Sequence, residues 1–362
     1  MHCDLDAFFA AVETIYRKHN PEIPLIIGSN PDCGNGRGIV STCNYAAREY
    51  GIRSAMPISE AWRRCPGPPI GIAIYQKNRF LLYRRASRKV MHILKNNSDK
   101  FERASIDEAY IDVTNICEGD WDNALAHAKK LKLKIYQELG LSASFGIGST
   151  RIIAKMGSEV NKPGGICRIL PHECIEFLSG QITRNVPGIG PKTATSLAEY
   201  GVNKMQDAYE LGVIGLSHIA GKRFANWIIS VIEGKTSSEV GVLQSRKSVG
   251  KEFTFTKDID KPEFVFEQLD LLVNQICKRL KELNVSGRTI EIKLRYQGFE
   301  TLTHSKKIPV AMDDFEVFRI IAQRLLWQAF DTDRKVRLVG FRIADLEIPP
   351  SRQITLVNFQ DN

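Results

Sequence analysis

Apolar positions in the first 170 or so residues switch repeatedly between a helical and an alternating period. Residues 6–19 carry Phe8, Phe9, Val12, Ile15 and Tyr16 at spacings that place them on one helix face. Short apolar runs at 24–28 and 38–42 read as strands, separated by a Gly/Asn/Pro loop that runs through Gly36. Residues 44–50 read as a helix stopped by Gly51, and 59–64 as a shorter one ended by Pro66. A long basic helix follows at 77–97, with Phe80, Leu81, Tyr83, Val90, Ile93 and Leu94 among its apolar residues. Strand character around Asp107 and Glu108 returns at 111–113. Then come a helix at 121–139, a strand at 142–147, a helix at 152–160 and a strand at 165–170. This order predicts one sheet backed by helices, with a small α/β insert at 10–76.

The pattern then changes twice. Residues 171–235 read as wholly helical and include Val186-Pro187-Gly188-Ile189-Gly190-Pro191-Lys192. Residues 237–244 are polar and read as a linker. Beyond them a strand at 247–256, a helix at 262–283, strands at 289–296 and 300–309, a helix at 313–330 and a strand at 335–345 give the ferredoxin-like βαββαβ order of a separate domain. Residues 346–362 read as a Pro-flanked, flexible tail.

Composition narrows the class. Hydrophobic content of 43% and charged content of 25% are those of an ordinary globular protein. The net charge of +9 suits a polyanionic partner, nucleic acid first. The 245–345 domain alone holds 19 Lys and Arg against 15 Asp and Glu, a net +4. The eight cysteines are scattered and form no C-x-x-C pair, so they read as reduced, packed thiols of a cytoplasmic protein. No apolar run is long enough to span a membrane, and no signal peptide opens the chain.

Two acidic clusters carry the chemistry. Asp107 and Glu108 are adjacent carboxylates in a strand-like apolar context, where an acidic pair is normally avoided. Asp4 stands at the end of a very short apolar start, just before a helical pattern. Two strand-end acidic clusters in a basic protein read as a site for divalent metals and phosphates; solvated turns are the bland alternative. Carboxylates suit Mg²⁺, a hard ion, and the Leu5 carbonyl can add a ligand at the same strand end. Asp6 is expected outside that set. Tyr45 and Arg48, three apart on one helix, share a face and offer donors to a triphosphate, or else are a packed Tyr beside a surface Arg. Lys162 sits in a breaker-rich loop suited to a phosphate, though such a lysine is usually just solvated. Gly188 and Gly190 match a helix–hairpin–helix, whose helix-start N–H groups bind phosphate without reading bases; a plain Gly-rich connection is the alternative.

Taken together the residues resemble the Y-family DNA polymerases of the DinB type. DLDAFFAAVE, STCNYAAREYGIRSAMP, ASIDEAYID, GIGSTRIIAKMGSEVNKPGG and VPGIG occur in that family's order and at its spacing, and the match covers nearly the whole chain. The resemblance implies an α/β and α+β multidomain fold shaped as a right hand. It implies a palm at 1–9 and 77–168, fingers at 10–76, a helical thumb at 169–236 and a ferredoxin-like little finger at 245–345. It implies template-directed, low-fidelity translesion synthesis without proofreading, by two-metal nucleotidyl transfer from dNTP to a primer 3′-OH. Asp4, Asp107 and Glu108 would hold two Mg²⁺, with Mn²⁺ as a substitute and the Leu5 carbonyl assisting. Phe8, Phe9, Thr42, Tyr45, Arg48 and Lys162 would contact the nucleotide, with Phe9 as the steric gate against a ribose 2′-OH; from the residues alone Phe9 is equally a core residue. Gly188, Gly190, Lys192, Arg246 and Lys247 would meet primer–template DNA. Gln353, Leu356 and Phe359 are spaced like the peptides that dock many members on a sliding clamp, with Gln360 and Val357 departing from that pattern. A monomer is expected. Only Met1, His2 and Cys3 precede Asp4, a shorter start than the family usually shows. No exonuclease segment or ubiquitin-binding zinc module is visible. Two other classes remain: a non-catalytic DNA-binding protein, and a palm-type nucleotidyl cyclase, which would need neither thumb nor basic domain.

Overall fold

The computed structural model describes residues 1–242 and 245–348. The chain divides into two units, the first ending at Val242. Strand β1 (His2–Leu5) leads into helix α1 (Phe8–Arg17), followed by β2 (Leu25–Gly28), β3 (Val40–Cys43), α2 (Tyr45–Glu49), α3 (Ile58–Arg64) and β4 (Ile74–Lys77). Then come α4 (Phe80–Lys95), β5 (Lys100–Arg103), β6 (Glu108–Asp112), α5 (Trp121–Leu139), β7 (Ala143–Ile147), α6 (Arg151–Val160) and β8 (Ile166–Arg168). The main sheet has the order β5-β6-β1-β7-β8. Its centre is β1, antiparallel to both neighbours, with Asp4 opposite Glu108 on one side and Ser144 on the other. Although short, β1 is buried throughout, because Cys3 and Leu5 face the core under α4 and α5 while His2 and Asp4 face away from it.

Helix α6 covers that second face at unusually close range. A Cβ on Gly146 would lie 1.8 Å from the Ala154 carbonyl oxygen, and one on Gly157 would lie 3.3 Å from the Gly146 Cα. Glycine at both positions lets helix backbone rest on strand backbone.

The insert is a three-stranded sheet, β3-β2-β4, with α2 and α3. β2 alternates between two cores: Leu25 and Ile27 join the main one, while Ile26 joins Val40, Ala47, Ile58 and Ala73 in the insert's own. Asn44 caps α2 at Ala47 and also accepts from the Leu25 N–H while donating to the Pro21 and Ile23 carbonyls. The periodicity placed β3 two residues early and missed β4 altogether. It also overextended the buried side of α1: Phe8 and Val12 are core, but Ile15 and Tyr16 are exposed.

Helices α7 (Cys174–Ser179), α8 (Pro191–Glu199), α9 (Met205–Ala220) and α10 (Lys222–Ile232) pack around a third core that includes Ile153 and Met156 of α6. The element ahead of the Gly188–Gly190 hairpin is only a single 3₁₀ turn, Thr183–Asn185, rather than a full helix. Residues 237–242, expected as linker, are strapped to this unit. The Arg151 guanidinium reaches the Glu239 carbonyl and Glu102, the Glu102 carboxylate accepts from the Gly241 N–H, and Val240 is buried.

The second unit follows the expected βαββαβ order: β9 (Ser248–Ile259), α11 (Pro262–Leu283), β10 (Ser286–Tyr296), β11 (Thr301–Met312), α12 (Phe315–Ala329) and β12 (Val336–Glu347). All strand pairs in the sheet β11-β10-β12-β9 are antiparallel. Ile290, Ile292, Leu294, Phe341 and Ile343 point under the two helices; on the other face Lys293 pairs with Glu252 and Arg342 with Glu291.

The Gly146 contact yields a stability test. Gly146→Ala must push α6 off the sheet and should cost roughly 1–3 kcal/mol, as overpacking does. Gly180→Ala, where an added Cβ meets nothing within 4 Å, should be neutral. Thermal melts of the two variants check this.

Candidate active site

Two carboxylates face each other at one end of the main sheet. Asp4 and Glu108 are register partners across β1 and β6, close enough for each carboxyl to shift the proton affinity of the other. Burial pushes the Asp4 pKa up to about 7, although Lys162 Nζ, 2.8 Å from Oδ1, pulls the other way. Burial also works to raise the Glu108 pKa, but Lys155 Nζ at 2.6 Å outweighs it and holds the group below its usual value. His2, fully buried beside them, bonds through Nδ1 to Ser158 Oγ at 2.8 Å. Burial, assisted by Lys155, lowers the His2 pKa to about 3, so the ring is neutral and adds no charge.

Asp107 is adjacent but differently held. It lies in the turn between β5 and β6, where Ser105 Oγ donates to its carboxylate and accepts from the Asp107 and Glu108 N–H groups at 3.1 and 3.0 Å. Its carbonyl accepts from the Leu5 N–H at 3.1 Å, tying the turn to the end of β1. Among the described residues no three His, Cys, Asp or Glu side chains enclose a metal-sized space. The carboxylate trio expected from the sequence is therefore neighbouring rather than converged. Asp107 is held by Ser105, while Asp4 and Glu108 are met by Lys162 and Lys155. The donor chemistry fits a hard divalent ion: oxygen ligands only, on β1, on β6 and in the turn that enters β6, with ammonium groups already standing in for positive charge.

Asp6 faces elsewhere. Its carboxylate accepts from Ser142 Oγ at 2.6 Å, Ser144 Oγ at 2.8 Å and the Gly164 N–H at 2.8 Å. It therefore fastens β7 and the 161–165 loop to the end of β1, which brings Lys162 to Asp4. Tyr45 is close enough to Asp6, Lys162 and Asp4 to feel their charges, and burial raises its pKa. Its hydroxyl is buried without a hydrogen-bond partner. The Arg48 guanidinium lies 4.4 Å from the Tyr45 ring centre, so the pair does share a face. Thr42 is half-buried on β3, just ahead of them. An orphaned donor beside an arginine and a lysine is what an incoming anion would satisfy.

Phe8 and Phe9 part company. Phe8 is 2% exposed and belongs to the core, so its ring cannot reach a ligand; this corrects its grouping with the nucleotide contacts, to which only its main chain can contribute. Phe9 is half-buried and stacks on Tyr83 with ring centres 4.3 Å apart. Gly188 and Gly190 are exposed; Gly188 has φ of +102° and packs over Trp227, and Gly190 with Pro191 opens α8, leaving Lys192 exposed on its first turn. Arg246 and Lys247 are exposed just before β9. Gln353, Leu356 and Phe359 lie outside the described residues.

Three contributors escaped the sequence reading. Lys155 lies on α6, the helix that leads into the Lys162 loop, and no local pattern marks it. His2 is two before Asp4 and so on the same strand face. Ser105 is two before Asp107, the offset of a side-chain turn.

The profile of the impB/mucB/samB family matches residues 3–159, and that of its C-terminal domain matches 246–356. "DNA polymerase IV 2" of Methanosarcina mazei is 33% identical over 358 residues, spanning 99% of this chain and 95% of that protein. "DNA polymerase IV" of Streptococcus pneumoniae is 36% identical over 343 residues, 94% of each. Among solved structures, the Y-family DNA polymerase chimera Dbh-Dpo4(243-245)-Dbh superposes with a TM-score of 0.86 at 30% identity, over 96% of this chain and 98% of that one. DinB from Sulfolobus solfataricus gives 0.63 at 28% identity over 95% and 97%. Fold and site thus define a Y-family polymerase architecture. Within it, the chain belongs to the DinB type, the impB/mucB/samB family.

The unequal treatment of the two N-terminal acids is testable. Asp6→Ala strands two hydroxyls and an N–H and should lower stability by roughly 1–3 kcal/mol. Asp4→Asn removes a charge that burial disfavours, so the metal-free protein should melt no lower than wild type, or higher. Thermal denaturation in chelator separates the two.

Proposed function

We propose that this protein is a DNA-directed DNA polymerase of translesion synthesis, joining a dNTP to a primer 3′-OH on a template strand. The observation that carries the reading is the Asp4–Glu108 pair beside Lys155, Lys162 and the orphaned Tyr45 hydroxyl at one sheet end. The relatives named DNA polymerase IV support it, as does the likeness to the "Insertion ternary complex of Dbh DNA polymerase", with a TM-score of 0.66 at 29% identity. Residues 1–9 and 77–168 serve as palm, 10–76 as fingers, 169–236 as thumb and 245–345 as little finger.

Divalent ions, Mg²⁺ with Mn²⁺ as a substitute, fit Asp4, Asp107, Glu108 and the Leu5 carbonyl, and when bound they supply charge neutralisation and an activated primer oxygen. Tyr45, Arg48 and Lys162, with Thr42 beside them, hold and orient the triphosphate. Lys162 is free to move from Asp4 to a phosphate because a cation there would replace its charge. Phe9 lies under the sugar and excludes a 2′-OH. Catalysis is then chiefly positioning plus electrostatics. Gly188, Gly190 and Lys192 offer N–H groups and charge to the DNA backbone, and the second unit, with Arg246 and Lys247, adds sequence-independent grip. The working form is a monomer in the cytoplasm; among the described residues no helix is long and apolar enough to cross a membrane.

Glu108→Ala or Asp107→Ala should reduce Mg²⁺-dependent primer extension by roughly 10²–10³-fold or more while DNA affinity is kept. Extension at near wild-type rate would overturn the assignment, and nucleotide turnover without template would favour the cyclase reading.

The tail adds a partner. The spacing of Gln353, Leu356 and Phe359 supports docking on a sliding clamp. Removal of residues 351–362 should leave distributive synthesis unchanged and abolish stimulation by the cognate clamp, measured as product length with and without it.

A further inference from the structure

Behind Phe9 lies a buried ion pair that the proposed chemistry does not use. Glu13, one turn after Phe9 on α1, is fully buried. Its Oε1 accepts from Arg79 Nε at 2.8 Å and from the Tyr83 hydroxyl at 2.7 Å; its Oε2 pairs with Arg79 Nη2 and lies 3.6 Å from Arg17 Nε. Arg79 stands at the residue before α4, and Tyr83 is one turn further on. Two i, i+4 pairs therefore face each other: Phe9 and Glu13 from α1, Tyr83 and Arg79 from α4. The Phe9 ring lies nearly parallel to that of Tyr83, at 12° and 4.3 Å, and Phe80 stands edge-on to both at 5.8 and 6.1 Å.

A buried ion pair is weak evidence of stabilisation, because apolar residues of similar volume often do as well. This one fixes a position. Tyr83 is fully buried and its hydroxyl has one defined acceptor, so its ring cannot slide. Phe9 is only half-buried and leans on that ring. A side chain that excludes a hydroxyl group by collision works only if it cannot yield, and a shift of well under an ångström relieves such a clash.

We infer that Glu13 is a positioning residue for sugar selection, acting through Tyr83 to hold the Phe9 ring against the incoming nucleotide. The inference rests on the reading of Phe9 as the gate, and the two are separable. Single-nucleotide insertion kinetics on the full chain give kcat/KM for dNTP and for the matching rNTP. Tyr83→Phe removes only the hydroxyl, and Glu13→Gln only the charge. Each should lower discrimination against rNTP by about 3–30-fold, with dNTP insertion kept within about threefold. Phe9→Ala should lower discrimination further, and in its background Tyr83→Phe should change nothing more.

Unchanged discrimination in Phe9→Ala would overturn the gate reading and this inference with it. A large effect of Phe9→Ala with none in Tyr83→Phe would overturn this inference alone. So would an effect of Tyr83→Phe that persists undiminished without the Phe9 ring, since it would not pass through Phe9. Should Glu13→Gln fail to fold, Tyr83→Phe and the double variant still decide the matter.

Discussion

Two carboxylates pressed together across an antiparallel strand pair set the terms for the first unit. Asp4 and Glu108 are register partners on β1 and β6, in a place dry enough to push Asp4 to about 7. Nothing on those two strands can relieve that charge, because His2, the nearest basic group, is itself neutral. Relief has to come from another element at short range. Helix α6 and the loop after it supply it through Lys155 and Lys162, and they can do so because Gly146 and Gly157 let the helix lie on the sheet. Asp6 then anchors the loop that carries Lys162. Backbone contact, the Asp6 anchor and the ion pairs are thus one arrangement, organised around an unfavourable burial.

Long periodic elements were legible in the sequence because burial on one face leaves a regular trace. Helix α5 was readable to the residue: Asp120 caps it at Asn123, and Gly140 ends it with φ of +69°. The second unit was readable for the same reason. Strand β4 was not, since all four of its residues remain partly exposed and its pairing with β2 is parallel and distant in sequence. The 237–242 strap was not, because it is held through its backbone by Arg151 and Glu102, and polar composition reads as linker whatever the backbone does.

At the site, the residue types were legible and their states were not. Asp4 and Glu108 announce themselves as acids out of place; that Lys155 neutralises one of them depends on a helix-to-sheet distance no local pattern encodes. Phe8 and Phe9 are adjacent and chemically identical, and only the direction of the first turn of α1 sends one ring into the core and leaves the other half-exposed. The resemblance to a family supplied roles by position, but the side chains that hold those positions had to be found by following hydrogen bonds.

Four acids of the first unit, three of them buried and Glu108 half-buried, fall into two kinds by the partners that hold them. Asp6 accepts from two hydroxyls and an N–H, and Glu13 from a bidentate arginine and a phenol. Those partners come from short or planar groups with few alternative positions, so removing one leaves the acid stranded, which is the expensive case for a buried charge. Asp4 and Glu108 are instead met by lysines, whose long flexible stems can withdraw and whose single charge a cation can replace. An acid satisfied by rigid partners is committed to the fold. An acid satisfied by a movable ammonium is held in reserve, kept from unfolding the sheet until something more positive arrives. That contrast in partners, more than burial itself, separates Asp4 and Glu108 from Asp6 and Glu13.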